Sequence, residues 1–282
     1  MEDWSVPEAR KPVVSLVAAI VSLAWLSAGA QAPKTDDVVA RVFAYVADYG
    51  AQLANVVVEE TYRQRAPRAS GPDQERTLRS DYALTWAGAR DGWVGYRDTF
   101  EVDGLAVRDR EQRLQRLLES GATGQAARIA EQNARFNLRN DLLPRTVNVP
   151  TFALDLLQPR FRDRFSARRV GSEALDGKTA WLVEFRERDR PTIVRTPEGR
   201  DQPSRIEALV DPATGVIHRT TVSWERVKGS IVVDYDRVPG LSVPVPITMF
   251  ERFTTRDGDE ISGDATYANY RRFETSGRLI EP

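Results

Sequence analysis

From about residue 164 to residue 275 the chain repeats one pattern: a short strand-like segment, then residues suited to a tight turn. The turns are marked by Asp176-Gly177, Thr214-Gly215, Lys228-Gly229, Pro239-Gly240 and Asp257-Gly258. A glycine there supplies the positive φ that hairpin connections ask for. Between turns, side-chain character alternates with period two, as it does on a pleated strand. Trp181, Val183 and Phe185 share one face, and Leu182, Glu184 and Arg186 the other. The same parity puts Val216, His218, Thr220, Val222 and Trp224 on one face, and Ile261, Ala265, Tyr267, Asn269 and Phe273 on another. Strands that follow one another without helical crossovers pair antiparallel. Residues 188–203 interrupt the pattern; charged, with Pro191, Pro197 and Pro203, they read as a long exposed loop or lid.

Upstream, Val38, Val39, Val42, Phe43, Val46 and Tyr49 recur at helical spacing. They predict a helix over 36–50, begun by Asp36 and Asp37 and ended by Gly50. Residues 51–63 change period, and Val56-Val57-Val58 predicts a strand. Two more strands are expected over 76–86 and 93–102, joined by Asp91-Gly92 and closed by Asp103-Gly104. Helices follow over 108–119 and 125–137, broken at 121–124. A connector at 140–148, with a short strand at 146–149, leads to a short apolar helix over 150–157. The expected fold is therefore α+β and mostly β. It is a single large curved antiparallel sheet, an open half-barrel of about nine strands, with helices on its concave face. A sheet of that size must curl or be covered to hide its apolar side. Residues 31–282 are expected to form one domain, with a helical insertion at about 106–158.

Arg10-Lys11, an apolar run over 13–26 and Ser27-Ala28-Gly29-Ala30 form the three parts of a secretory signal. Cleavage is expected after Ala30, which would leave no transmembrane span and place the protein in the periplasm or outside the cell. The alternative is an uncleaved anchor, for which the run is at the short limit.

Several chemistries are excluded or weakened by composition. The chain has no cysteine, so disulfides, thiolate metal sites and a cysteine nucleophile are out. It has one histidine, His218, so a His-rich zinc site is out. The formal net charge is -1, and the first thirty residues account for it, leaving a neutral remainder with no global pull on nucleic acid. Glu59 and Glu60 point to opposite faces of their strand and cannot line one hydrolytic site together. Asp98 with Glu101 and Asp109 with Glu111 are ordinary spacings for an acid-rich chain. Residues 121–126 lack a P-loop lysine. Arg108, Arg110, Arg113 and Arg116 alternate with acids, as on a solvated helix face. His218, mid-strand beside Val216, Val222 and Trp224, reads as a packed strand residue. No catalytic residue, metal or cofactor is expected.

Three stretches carry a resemblance. They are Gly171-Ser172-Glu173-Ala174-Leu175-Asp176-Gly177, then Val210-Asp211-Pro212-Ala213-Thr214-Gly215, then Val243-Pro244-Val245-Pro246. In that order they resemble the periplasmic lipoprotein-carrier fold, which includes outer-membrane lipoprotein-sorting proteins. Residues 91–104 also resemble uncharacterised secreted proteins of soil bacteria. The carrier resemblance implies a half-barrel lidded by helices over an apolar space. It further implies a non-enzymatic protein that holds a lipid, an acyl chain or a lipopeptide between sheet and helices. Residues expected to line that space are Trp86, Trp93, Phe152, Leu156, Trp181, Phe185 and Trp224, with loop 188–203 or helix 150–157 gating access. Large aromatics also fill ordinary cores. The alternative is an envelope interaction or signalling module with a filled core and a protein partner. An envelope hydrolase is the weakest of the three.

Overall fold

The computed structural model describes residues 33–53, 56–68, 70–87, 90–108, 116, 126–139, 145–255 and 257–272. The expected signal segment, most of the helix expected over 108–119 with the break after it, and Phe273 lie outside the described residues.

Four strands lie in the first half of the chain: β1 (Val56–Ala66), β2 (Gln74–Trp86), β3 (Trp93–Val102) and β4 (Leu105–Ala106). Seven follow: β5 (Phe165–Leu175), β6 (Lys178–Glu187), β7 (Arg205–Val210), β8 (Ile217–Trp224), β9 (Gly229–Asp236), β10 (Val245–Thr254) and β11 (Glu260–Arg272). They form one sheet of eleven strands in the order β4-β3-β2-β1-β11-β10-β9-β8-β7-β6-β5. Each group is a meander of neighbours in sequence. The two meanders are joined where β1 pairs antiparallel with β11, from Val56 opposite Arg272 to Arg65 opposite Ser262. The sheet is open, with β4 and β5 as its edges. Eleven strands rather than about nine arise because β4 closes a hairpin across Asp103-Gly104 and every segment of the second run is a full strand.

Among the described residues, helices α1 (Thr35–Leu53), α2 (Ala126–Ala134) and α3 (Phe152–Leu156) accompany the sheet, with a 3-10 turn at Pro159–Arg164. Val38, Val42, Phe43, Val46, Tyr49 and Leu53 on one stripe of α1 are buried in the same core as Val183, Phe185, Ile206, Val222 and Trp224 of the sheet. Burying each such side chain contributes about 1.5–3 kcal/mol before entropy is counted. Gly50 does not end α1. It sits in the last turns as a packing residue, since a Cβ there would lie 2.0 Å from Trp93 Cδ1.

Four details of the expected pattern are corrected. Leu209 faces Arg219 while Val210 faces Ile217, so His218 is the extra residue of a bulge. Ile217, not His218, therefore turns into the core. A second bulge between β1 and β11 includes Asn269 at φ +55, and beyond it Tyr270 packs on the core in place of Asn269. Residues 146–149 form no strand. Loop 188–204 is not merely exposed, for the buried Glu187 carboxylate accepts the backbone N–H of Ile193 (2.7 Å) and of Ser204 (3.2 Å). Thr192 and Gln202 of that loop are buried as well.

Candidate functional site: an inner sheet face in two halves

One half of the inner face is apolar, and the protein's own helices lie in it. Phe43 of α1 meets Phe185 of β6 edge-on, with ring centroids 5.9 Å apart. Phe152 of α3 lies 5.8 Å from Trp224 of β8, whose other neighbour is Phe253 of β10 at 6.0 Å, stacked. The Trp224 indole N–H donates to Ser204 Oγ at 3.1 Å. Among the described residues, polar ties between α1 and the rest are few. Arg41 donates to the Pro212 carbonyl (2.8 Å), and Ser242 donates to Gln52 (2.8 Å). Near the C-terminal end of α1, Leu53, Val56, Leu84, Pro246 and Tyr270 line an apolar pocket of about 20 Å³, room for about one water.

The other half of the inner face is ionic. Glu60 of β1 receives Arg97 Nε at 2.5 Å, Arg97 Nη2 at 2.9 Å and the Tyr267 hydroxyl at 2.9 Å. Neither Glu60 nor Arg97 exposes any side-chain surface. Burial works against the Arg97 charge, and Glu60 more than offsets it, so the guanidinium stays ionised. Arg145 bonds Glu251 at 3.0 Å, Gln64 at 2.8 Å and the Leu138 carbonyl at 2.9 Å. Tyr62 donates to Glu251, and Asn148 donates to the Tyr62 hydroxyl. Burial pushes the phenols of Tyr62 and Tyr267 well above their usual range. The partners beyond the sheet come from residues 133–139 and 145–148. Arg97 also donates to the carbonyl of Asn148 at 2.7 Å, and Asn133 accepts the Arg97 backbone N–H at 2.7 Å. The cluster is a buried clasp that holds this connector on the sheet.

The expected lining residues divide accordingly. Phe152, Leu156, Phe185 and Trp224 sit in the apolar half, and Leu156, Phe185 and Trp224 are fully packed. Trp181 is buried with the Arg169 guanidinium 4.1 Å above its ring. Trp93 packs against Gly50 and the same main core. Trp86 stands opposite Trp93 in the β2–β3 register, and its side chain lies outside the described residues. Trp93, Phe152, Leu156, Trp181, Phe185 and Trp224 all belong to, or pack against, one hydrophobic core. Sequence reasoning passed over α1 as the occupant of the sheet, although its helical stripe was visible. It weighed Glu60 only as half of a carboxylate pair and missed its buried role, although Glu60 shares the inward parity of Val56, Val58 and Tyr62.

His218 is half-buried, and that burial lowers its pKa against the opposing pull of Asp211 and Asp176. It makes no hydrogen bond among the described residues, so nothing orients it as a base. Glu59 and Glu60 do point apart; Glu59 faces outward beside Arg271 and Asn269. Among the described residues no three carboxylates or imidazoles are grouped to hold a metal. Among them, too, no helix is long and apolar enough to cross a membrane.

Several solved structures are similar to this chain at low identity. One is a domain described as an outer membrane lipoprotein-sorting protein from Vibrio parahaemolyticus, at 11% identity and TM-score 0.40, covering 82% of this chain and 92% of that one. A LolA superfamily protein from Nitrosomonas europaea matches at 9% identity and TM-score 0.37, covering 89% and 99%. A DUF1329 family protein from Desulfovibrio piger matches at 12% and 0.38, covering 85% and 94%. No protein-family model and no curated protein matches the sequence. A likeness this distant supports no inference about ligand or partner.

Proposed function

We propose that this is an exported, non-enzymatic carrier that holds one apolar chain in the half of the sheet now filled by α1. One observation carries the reading: the two halves of the inner face are closed by different means. The connector at 133–148 is locked by buried ion pairs, which are expensive to break. The α1 helix is held almost wholly by apolar contact, and an acyl chain could replace that contact carbon for carbon, at about 0.8 kcal/mol per methylene. In this reading the structure is the unloaded form, with α1 as the stand-in for ligand and residues 1–30 as the export signal. Native mass spectrometry of protein recovered from an expressing cell, with uptake of a fluorescent fatty acid, is the test. A bound lipid mass and saturable uptake are expected, on a chain that starts at Gln31. Recovery without lipid, together with no uptake, counts against the carrier.

A second reading is favoured by the packing of Phe43 on Phe185 and of Trp224 between Phe152 and Phe253. A core already filled suits an envelope interaction module. That module would give no uptake and a specific protein partner in pull-downs.

A further inference from the structure

A groove of about 290 Å³ opens beside the first turns of α1, against the 3-10 turn and the start of the edge strand β5. Its floor is apolar: Val39 and Phe43 from α1 and Phe165 from β5. Its rim carries four charges: Asp36, Arg162, Asp163 and Arg188. Phe43 connects the floor to the apolar half of the sheet, because the same ring meets Phe185.

Some neighbouring arginines are paired, Arg168, Arg186 and Arg205 on Glu184, and Arg164 on Glu187; Arg169 instead lies over the Trp181 ring. The four rim residues form no ion pair with one another or with any other described residue. Arg162 lies 5.7 Å over the Phe43 ring, and Arg188 reaches only the backbone carbonyl of Asp163, at 3.5 Å. Two guanidiniums suit a phosphate, which they can hold by charge-assisted forks. Two carboxylates suit a primary ammonium, which has three N–H donors. A purely anionic head would meet Asp36 and Asp163. A quaternary ammonium has no N–H to give them.

We infer that this groove seats the head of a phosphoethanolamine lipid, phosphate toward Arg162 and Arg188 and ammonium toward Asp36 and Asp163, with an acyl chain passing over Phe43. The inference rests on the carrier reading and names its ligand class. The phosphate must displace the Arg162 guanidinium from the Phe43 face, so loading also uncovers the path to the core.

The test uses the full mature chain and vesicles of unlabelled phosphatidylcholine. The vesicles carry one of three lipids with the same fluorescent acyl chain and an ethanolamine, choline or glycerol head. A headless fluorescent alkane is the fourth probe. Preference for the ethanolamine lipid over each of the others by about fivefold is expected, the scale of two exposed charge contacts. Arg162→Glu with Arg188→Glu should cancel the preference over the alkane, and Asp36→Asn with Asp163→Asn should cancel ethanolamine over choline. All four side chains are exposed, so the variants should keep the wild-type urea midpoint. Equal uptake of all heads and of the alkane overturns the headgroup inference and leaves the carrier standing. No uptake of any probe, the alkane included, overturns both.

Discussion

The turn that seats α1 can be tested with a single methyl group. Gly215 has φ +78, and a Cβ there would lie 2.4 Å from the carbonyl carbon of Arg41 and 2.7 Å from the amide nitrogen of Val42. Both are helix backbone, so no side-chain rotation can relieve the contact. Gly177 has nearly the same φ, +74, with nothing within 4 Å of its Cβ position. Gly177→Ala therefore measures the left-handed backbone cost alone, about 1–2 kcal/mol. Gly215→Ala carries that cost and must also move α1 away from the turn by about an ångström, a gap that forfeits about a quarter to a half of each dispersion contact across it. Val38 and Val42 are both wholly buried on that stretch of helix. At about 1.5–3 kcal/mol of burial each, the loosened seat costs about a further 1–2 kcal/mol. The expected destabilisation is about 2–4 kcal/mol for Gly215→Ala, and Tm falls by about 2–4 °C per kcal/mol for a chain of this size. Urea titration followed by tryptophan fluorescence compares the two variants, and uptake of a fluorescent fatty acid is read on the same samples. Gly215→Ala should unfold earlier than Gly177→Ala and take up the probe faster. Equal midpoints would refute the seating of α1 on this turn, and an earlier midpoint with unchanged uptake would refute α1 as the gate.

Arg97→Met leaves Glu60 buried with only the Tyr267 hydroxyl and should cost about 3–5 kcal/mol in urea unfolding, whereas Arg97→Met combined with Glu60→Leu should recover much of that loss. A single-variant cost under about 1 kcal/mol would mean that the pair is not desolvated in solution. Glu184 has its pKa lowered from 4.5 to about 2, first by its hydrogen bond from Arg186 and then by those from Arg168 and Arg205. A depressed folded-state pKa contributes stability that is present above the unfolded value and lost as pH falls from about 4.5 toward about 2. Urea midpoints measured from pH 6 to pH 2 should therefore converge for wild type and Glu184→Gln at the acid end, and parallel curves would remove Glu184 as the cause.

The half-barrel was legible because its signals are local. Glycines in the turns and period-two alternation specify strands and hairpins within a few residues, and the helical stripe of α1 was equally plain. The same locality explains what failed. One inserted residue reverses strand parity, and so His218 and Asn269 were assigned to faces that Ile217 and Tyr270 occupy. Gly50 looked like a helix stop because its partner, Trp93, lies more than forty residues along the chain.

By itself, then, the sequence determined most element types, the antiparallel hairpins and the absence of cysteine chemistry, all of which follow from residue type and short-range spacing. Only the tertiary structure decided that β1 closes on β11, that Glu60 finds Arg97 and Glu251 finds Arg145, and that α1 lies in the sheet it might have covered. These are contacts between residues up to about two hundred positions apart. No local pattern encodes them, because the interaction that selects each partner exists only after the intervening chain has folded.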